Sequence, residues 1–123
     1  MSEQSFVIPG RLPGYNELNK SGWGNNYRVK TKALELVEWY IKVAPFGITP
    51  VSEKITVEIR CFEPNARRDD DNVTSGASKI ILDALQQMGI IKGDGQRYVQ
   101  CIKHPVEVDR ENPRIEVTLR TLV

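Results

Sequence analysis

Arg67-Arg68-Asp69-Asp70-Asp71-Asn72 leads into a helix-forming run over residues 75–88, and Lys92-Gly93-Asp94-Gly95 follows that run. Two arginines thus directly precede three carboxylates. Two carboxylates about 4 Å apart repel by about 4 kcal/mol at an effective dielectric constant of about 20. A folded chain that gathers such groups therefore usually holds a cation between them. This stretch predicts a divalent-metal site with phosphate-binding flanks.

The run over residues 75–88 predicts a helix that the rest of the fold packs against. Its apolar residues recur at helical spacing and form one stripe, Ala77, Ile80, Ile81, Ala84, Leu85 and Met88. Thr74 or Ser75 is a suitable N-terminal cap, and Gly89 fits the left-handed position after the last turn, with Ile90 folding back toward Leu85. On a more polar flank, Ser75, Lys79 and Asp83 are spaced four apart. We expect Asp83 to be a structural partner of Lys79 rather than a metal ligand.

A second amphipathic helix is predicted over residues 31–44, ending before Pro45. Its apolar face comprises Ala33, Leu36, Val37, Tyr40, Ile41 and Ala44. Arg28, Lys30 and Lys32 lie at its predicted start, where the helix dipole disfavours cations. Either an anion binds there, shared with the backbone amides, or the three side chains are simply solvated.

Four segments have the composition or alternation of strands, residues 5–8, 53–62, 98–103 and 114–119. In the second of these, Ile55, Val57, Ile59 and Cys61 share one face, which predicts a half-buried strand in an antiparallel pair. Residues 11–27 are rich in Gly, Pro and Asn and predict a long loop, either functional or a flexible N-terminal arm. The expected fold is α+β, a single domain over residues 1–123 in which two main helices pack on a small mixed sheet in the order β-α-β-α-β-β.

Composition narrows the class of protein. The chain has 123 residues, 40% of them hydrophobic, and a net charge of +1, as expected of a globular domain. Its two cysteines make no disulfide framework and have no zinc-finger spacing with His104. The start of the chain has no basic segment followed by an apolar run, and no apolar stretch is long enough to span a membrane. We therefore expect a cytoplasmic protein without a membrane association.

Asp69 and Asp71 are two residues apart, so in extended backbone their side chains point the same way. Magnesium prefers such oxygen ligands and is commonly held by one or two carboxylates plus substrate phosphate. The spacing does not fit an EF-hand in either register, because the required glycine and final glutamate are missing. A purely structural interpretation stays open, since acidic residues before a helix complement its dipole and cap it.

The stretch resembles the RusA family of Holliday-junction resolvases. The family pattern is an Arg-rich lead, D-x-D-N, a helix with a lysine followed by L-D-A-L, then G and two hydrophobic residues, and a further Asp in a turn. This chain has R-R-D-D-D-N and K-I-I-L-D-A-L-Q-Q-M-G-I-I-K-G-D-G, and its P-G-Y-N and N-P-R-I-E-V-T-L are similar to phage-type members. The similarity spans nearly the whole chain and is strongest over residues 67–95. The interval before Lys79 is longer here than in the bacterial form.

The resemblance implies a magnesium-dependent hydrolase that cuts phosphodiester bonds at four-way DNA junctions as a homodimer, without a nucleotide cofactor. Such proteins are often encoded by prophages. It assigns metal binding and catalysis to Asp69, Asp71 and Asp94, with Mn²⁺ as a substitute ion, and gives Lys79 a catalytic role as well. A two-fold dimer matches a junction that needs two symmetric nicks.

We also expect DNA phosphate contacts from the basic residues near these acids and from the early loop: Arg67, Arg68, Arg28, Lys30, Lys32 and Asn16. Two other functions remain open. One is a non-catalytic module that binds DNA structures, and the other is a nuclease of looser specificity that acts on flaps or forks.

Overall fold

The computed structural model describes residues 2–19 and 23–121, and for residues 23–26 it describes the backbone only. The part of the chain that it describes contains these elements in order: β1 (Glu3–Pro9), α1 (Tyr15–Leu18), α2 (Trp23–Lys42), β2 (Ile55–Glu63), α3 (Asp70–Gln87), β3 (Val99–Lys103), β4 (Glu107–Val108) and β5 (Arg114–Thr121). The expected α+β fold, with two main helices on a small mixed sheet, is confirmed. The predicted order lacks only the short elements α1 and β4.

In the described part of the chain, the sheet has five strands, ordered β1-β5-β2-β3, with β4 beside the end of β2. β5 pairs antiparallel with both β1 and β2, whereas β3 and β4 pair parallel with β2. The predicted antiparallel pairing of β2 is therefore right on one edge of that strand. On its other edge, β2, α3 and β3 form a crossover unit, in which α3 carries the chain back from the end of β2 to the start of β3.

One core joins the sheet to the helices. The alternation in β2 is confirmed, because Ile55, Val57, Ile59 and Cys61 are all buried. The predicted α3 stripe is buried from Ala77 to Leu85, with Met88 packed at its edge. Burying such side chains contributes about 25 cal/mol for each Å² of apolar surface removed from water. The faces that the sequence predicts are therefore those that position α3 against the sheet.

The boundaries of α2 differ from the prediction. The helix begins at Trp23, well before residue 31, so the predicted loop over residues 11–27 is wrong for much of its length; residues 20–22 of it lie outside the described residues. The Gly- and Asn-rich composition of its first turns concealed its start. Ala33, Val37 and Ile41 face the core as expected, but Leu36 is 37% exposed.

Helix α3 also starts earlier than residue 75. Its first residue is Asp70, and Asp69 is the N-terminal cap. Its end is as predicted: Gly89 has φ +74°, and the Ile90 amide donates to the Leu85 carbonyl at 2.9 Å. These are the features of a Schellman motif. The acidic stretch is therefore part of the helix start rather than an extended segment before it.

Both cysteines are free, Cys61 in β2 and Cys101 in β3. Burial raises the pKa of the Cys61 thiol to about 12. Among the described residues, no helix combines the length and apolar character needed to cross a membrane.

Candidate active site

A cleft of about 630 Å³ opens at the N-terminal end of α3. It is lined by Tyr15, Asn16, Arg67, Arg68, Asp69, Asp71, Asn72 and Ser75. Five residues predicted for the site therefore meet here, although Asn16 is more than fifty positions from the others in the sequence. The fold brings the P-G-Y-N segment and the acidic stretch to one place.

The two carboxylates of the cleft belong to Asp69 and Asp71, which have different backbone conformations. Asp69 has extended φ and ψ angles of −61° and 137°, and its Oδ2 accepts a long hydrogen bond of 3.4 Å from the Asn72 amide. Asp71 lies in the first helical turn, 3.5 Å from the Ser75 hydroxyl. The predicted extended geometry is thus wrong for Asp71, but both side chains are exposed and both line the cleft. The structural interpretation also holds in part, because Asp69 caps the helix.

Asp70, between them, points out of the cleft. Its Oδ2 accepts a hydrogen bond of 3.2 Å from the amide of Val106, and its backbone carbonyl accepts one from the Thr74 hydroxyl. Asp70 therefore ties the start of α3 to the segment before β4. Asp69, Asp70 and Asp71 are thus consecutive in the sequence but have different hydrogen-bond partners and different structural roles.

The P-G-Y-N segment docks directly on α3. The side-chain Oδ1 of Asn72 accepts a hydrogen bond of 2.7 Å from the backbone amide of Asn16. One turn further along, Gly76 faces the backbone of Pro13 and Gly14, where a Cβ atom would overlap with main-chain atoms. Leu12 and Leu18, on either side of the segment, are buried in the core. The alternative of a flexible N-terminal arm is therefore wrong for residues 12–18.

A buried carboxylate underlies the cleft. Glu63, the last residue of β2, is only 3% exposed. Arg68 donates to both of its oxygens at 2.8 and 2.9 Å, and Arg11 donates to both at 3.0 and 3.3 Å. Burial raises the pKa of the Glu63 carboxyl, but the hydrogen bonds and charges of the two arginines outweigh it, and the pKa lies below its ordinary value. Glu63 is therefore an ionised anchor for both segments that form the cleft.

The sequence analysis missed Glu63, although a signal was present. Glu63 continues the alternating series of Ile55, Val57, Ile59 and Cys61, and so falls on the buried face of β2. A charged side chain at a strand position that faces the core is buried, so it needs partners of opposite charge. The sequence shows that such partners are needed but not which arginines supply them.

The two arginines of the lead have different surroundings. Besides Glu63, Arg68 donates to the Leu12 carbonyl at 3.0 Å and to Glu17 at 3.2 Å, so its guanidinium has a structural role within the fold. Its predicted contact with DNA stays a prediction. Arg67 is exposed and lines the cleft, and in the described part of the chain no ion pair involves it. Arg67 is therefore the guanidinium best placed to meet a phosphate.

Three other predicted DNA contacts lie on α2, away from the cleft lining. Arg28, Lys30 and Lys32 are well inside the helix rather than at its start, so the alternative of an anion site at a helix N-terminus is wrong. Lys30 forms an ion pair of 3.4 Å with Asp83. Asp83 is thus a structural partner as predicted, but of Lys30 rather than Lys79. Whether Arg28, Lys30 and Lys32 contact DNA stays a prediction.

Lys79 and Asp94 are not among the described residues that line the cleft. Lys79 is exposed on α3, eight residues after Asp71 and hence about 12 Å further along the helix axis. Asp94 lies in the turn beyond the opposite end of α3. Over the described residues, no three His, Cys, Asp or Glu side chains are grouped so that they could hold a metal ion. The expected gathering of Asp69, Asp71 and Asp94 is therefore wrong for a single chain.

The pair of cleft carboxylates nevertheless fits a hard cation. Asp69 and Asp71 present oxygen donors to an open cleft, and Arg67 lies beside them to balance the charge of a bound phosphate. Magnesium keeps several waters and is usually bound by one or two carboxylates plus substrate phosphates. These residues suit that mode of binding better than a closed cage made of protein ligands.

Comparisons with known proteins leave the family open. No family model matches the chain, and no curated protein matches it. Among solved structures, the chain is similar to the periplasmic domain of Helicobacter pylori MotB (residues 90–256), with 10% identity and a TM-score of 0.45 over 98% of this chain and 75% of that one. A similarity this weak carries no argument about function.

Proposed function

We propose that this protein is a magnesium-dependent endodeoxyribonuclease of the RusA type that resolves four-way DNA junctions. The observation that carries the proposal is the cleft in which Asp69 and Asp71 lie beside Arg67. The resemblance over residues 67–95 supports the same chemistry from the sequence. In this proposal the enzyme works in the cytoplasm as a homodimer.

The residues of the cleft divide the work. Asp69 and Asp71 hold the metal ion, which when bound supplies an activated water and neutralises the leaving oxygen. Arg67 binds a phosphate of the same strand through a forked pair of donors. Asn16 lines the cleft, and in this proposal its side chain contacts the sugar-phosphate backbone. These contacts give affinity without reading base sequence.

Helix capping alone explains the residues of the acidic stretch less well than a bound metal ion with its phosphate does. A cap needs one side-chain oxygen, and Asp69 supplies it with a long bond of 3.4 Å. Asp70 has its own partner outside the cleft. Asp71 remains exposed in the cleft beside Arg67, and Arg67 has no capping role. A bound ion with its phosphate accounts for both.

One observation favours a second candidate, a module that binds branched DNA without cutting it. Within one chain, neither Asp94 nor Lys79 is among the described residues that line the cleft, so one chain presents two of the three expected acids there. Two carboxylates and an arginine would suffice to bind DNA through a cation. This candidate predicts junction binding that never leads to a nick.

Synthetic DNA substrates separate these candidates. The protein is incubated with a labelled four-way junction, a fork, a flap and a plain duplex, each with EDTA, Mg²⁺ or Mn²⁺. A resolvase gives paired symmetric nicks in the junction with either metal and none with EDTA. A looser nuclease cuts forks and flaps at a similar rate. Junction binding without nicks in any metal supports the non-catalytic module and overturns the proposal.

A further inference from the structure

Tyr15 contributes an aromatic ring to a cleft that is otherwise polar. Among the described residues that line the cleft, it is the only aromatic one, and the others are Asn, Arg, Asp and Ser. Tyr15 is 46% exposed, whereas Leu12 and Leu18 of the same segment are buried in the core. A single exposed ring is ordinary on a protein surface. A ring placed among groups suited to phosphate and metal is not, and neither the core nor the metal site accounts for it.

The backbone that carries this ring is held from both sides. The Tyr15 carbonyl accepts two hydrogen bonds from Asn19, at 3.1 Å from its backbone amide and at 3.0 Å from its side chain. The backbone amide of the next residue, Asn16, donates to Asn72 of α3. Gly76 of α3 lies so close that a Cβ atom there would come within 2.7 Å of the Tyr15 amide nitrogen. The ring therefore projects into the cleft from a fixed point.

We propose that Tyr15 stacks on the base of a nucleotide that has turned out of its own stack, beside the phosphate that is cut. This inference rests on the proposed function and deepens it by naming the state of the substrate. An aromatic ring accepts any of the four bases, because every base has a flat π face. Tyr15 therefore recognises an unstacked base rather than a base sequence.

The cleft offers a group for each part of such a nucleotide. Arg67 suits the phosphate, Asp69 and Asp71 suit the metal ion, and the Tyr15 ring suits the base. The cleft volume of about 630 Å³ is within the range of sites that enclose small molecules. That size suits a single nucleotide rather than a length of stacked duplex.

This contact makes binding depend on the structure of the DNA. A base inside a plain duplex must lose its pairing and stacking before it can reach Tyr15. Base pairs at the centre of an opened four-way junction lack a stacking neighbour on one side, so a base turns out there at lower cost. Phosphate contacts are similar in both substrates and do not distinguish them. Tyr15 is therefore a specificity-determining residue that favours branched DNA.

Removing the ring tests this preference. Fluorescence anisotropy in EDTA measures binding of wild type, Tyr15→Ala and Tyr15→Phe to a labelled junction and to a duplex of the same arm sequence. We expect Tyr15→Ala to weaken junction binding about 5- to 150-fold, as for loss of one stacked base, and duplex binding less. Tyr15→Phe keeps the ring and should bind like wild type. Equal losses on junction and duplex overturn the inference.

The matched control is another exposed ring. Trp39 on α2 is 58% exposed and is not among the described residues that line the cleft. Trp39→Ala should bind the junction and the duplex like wild type. A loss of junction preference in Trp39→Ala equal to that in Tyr15→Ala would overturn the assignment to the cleft.

Abasic nucleotides separate stacking from a structural role of Tyr15. Nucleotides around the branch point are replaced one at a time by a tetrahydrofuran abasic analogue, and each junction is titrated with wild type and Tyr15→Ala. Where the missing base is the one that stacks, the two changes should be non-additive, with a coupling of at least about fivefold at one or two adjacent positions. A variant that is only misfolded loses affinity equally for every junction. Coupling below about twofold at all positions overturns the inference.

Cleavage of the same junctions in Mg²⁺ distinguishes this inference from the proposed function. Coupling at Tyr15 in a protein that never nicks DNA supports the stacked base while the proposed nuclease fails. Symmetric nicking of the junction without coupling at any position supports the nuclease and overturns the role of Tyr15. A wild-type protein that binds neither junction nor duplex overturns both.

Discussion

Arg68 and Glu63 form a two-pronged ion pair at the base of the cleft, with both Glu63 oxygens accepting from one guanidinium at 2.8 and 2.9 Å. Arg68 then reaches across to the Leu12 carbonyl and to Glu17. The pair thus connects the end of β2, the N-terminal segment and the residue before Asp69. It sets the relative position of the two sides of the site.

Replacing Glu63 should weaken the fold in a pH-dependent way. In Glu63→Gln, two guanidinium groups lose their buried counter-charge, and we expect a loss of about 3 kcal/mol at pH 7, near the lower end for a broken buried pair because Arg11 is partly exposed. The pKa of Glu63 is lowered in the folded state, so the stability it contributes is present above about pH 4.3 and is lost as the pH falls through the folded pKa. Urea unfolding at pH 7 and pH 3.5 measures both free energies.

The comparison with wild-type protein isolates this one group. Glu58 also has a lowered pKa, because hydrogen bonds and charges from His104 and Arg120 outweigh the effect of its burial, so both proteins lose stability in acid. Their difference should shrink between pH 7 and pH 3.5. A difference that stays constant over that range would mean that Glu63 is not the ionised anchor described above.

Gly76 should tolerate no side chain. A methyl group there would press against the backbone of Pro13 and Gly14, and backbone cannot rotate away. We expect Gly76→Ala to lower the free energy of unfolding by about 1–3 kcal/mol and to displace Asn16 from the cleft. The matched control is Gly95→Ala, whose Cβ would meet nothing within 4 Å. Equal stability of the two variants would show that the N-terminal segment does not pack on α3 as described.

The sequence was most informative where periodicity carries the information. The buried faces of β2 and α3 follow from spacing alone, and Gly89 marked the end of α3 because a left-handed residue is needed there. The start of α2 was missed because glycine and asparagine favour loops, and packing along the rest of a 20-residue helix outweighs that preference. Local sequence patterns therefore predict which helices and strands form more accurately than they predict where each one begins.

The candidate site was predictable only in part. The run of charged residues in the sequence identifies Asp69, Asp71 and the neighbouring Arg67 as candidate site residues. The partner of Arg68 is Glu63, five residues earlier, and the only signal for it in the sequence is that Glu63 falls on the buried face of β2. The position of Asp94 could not be read from the sequence, because it depends on α3 running the length of the sheet. Motif order along a chain does not say which motif residues share one end of a fold.

Arg67 should control the electrostatic part of DNA binding. Arg67→Ala removes a guanidinium that lines the cleft, so junction affinity should fall and the slope of log K against log salt should decrease by about 1. Arg60→Ala is the matched control, since Arg60 is an exposed residue of β2 whose side chain is on the face opposite the buried one. Fluorescence anisotropy in EDTA, across a salt series, measures both. An unchanged slope for Arg67→Ala removes it from the DNA contacts.

The two thiols should report on the core. Cys61 is buried with a raised pKa of about 12, so it should not react with a thiol reagent at pH 8 until the protein unfolds. The pKa of Cys101 is also raised by burial, but its side chain is partly exposed, and we expect slow labelling of the native protein at this position. Mass spectrometry of labelled peptides distinguishes the two. Rapid labelling of Cys61 in native protein would contradict the packing of β2.

Adjacent aspartates offer the most direct test of the account. Asp71 lines the cleft, whereas Asp70 accepts a hydrogen bond from Val106 outside it. The measurement is the rate of four-way-junction cleavage in a Mg²⁺ titration for Asp71→Asn and Asp70→Asn, with junction binding measured in parallel. We expect Asp71→Asn to bind the junction and lose cleavage by at least about 100-fold, and Asp70→Asn to cleave within a few-fold of wild type. Cleavage by Asp71→Asn at the wild-type rate would contradict the proposed metal site.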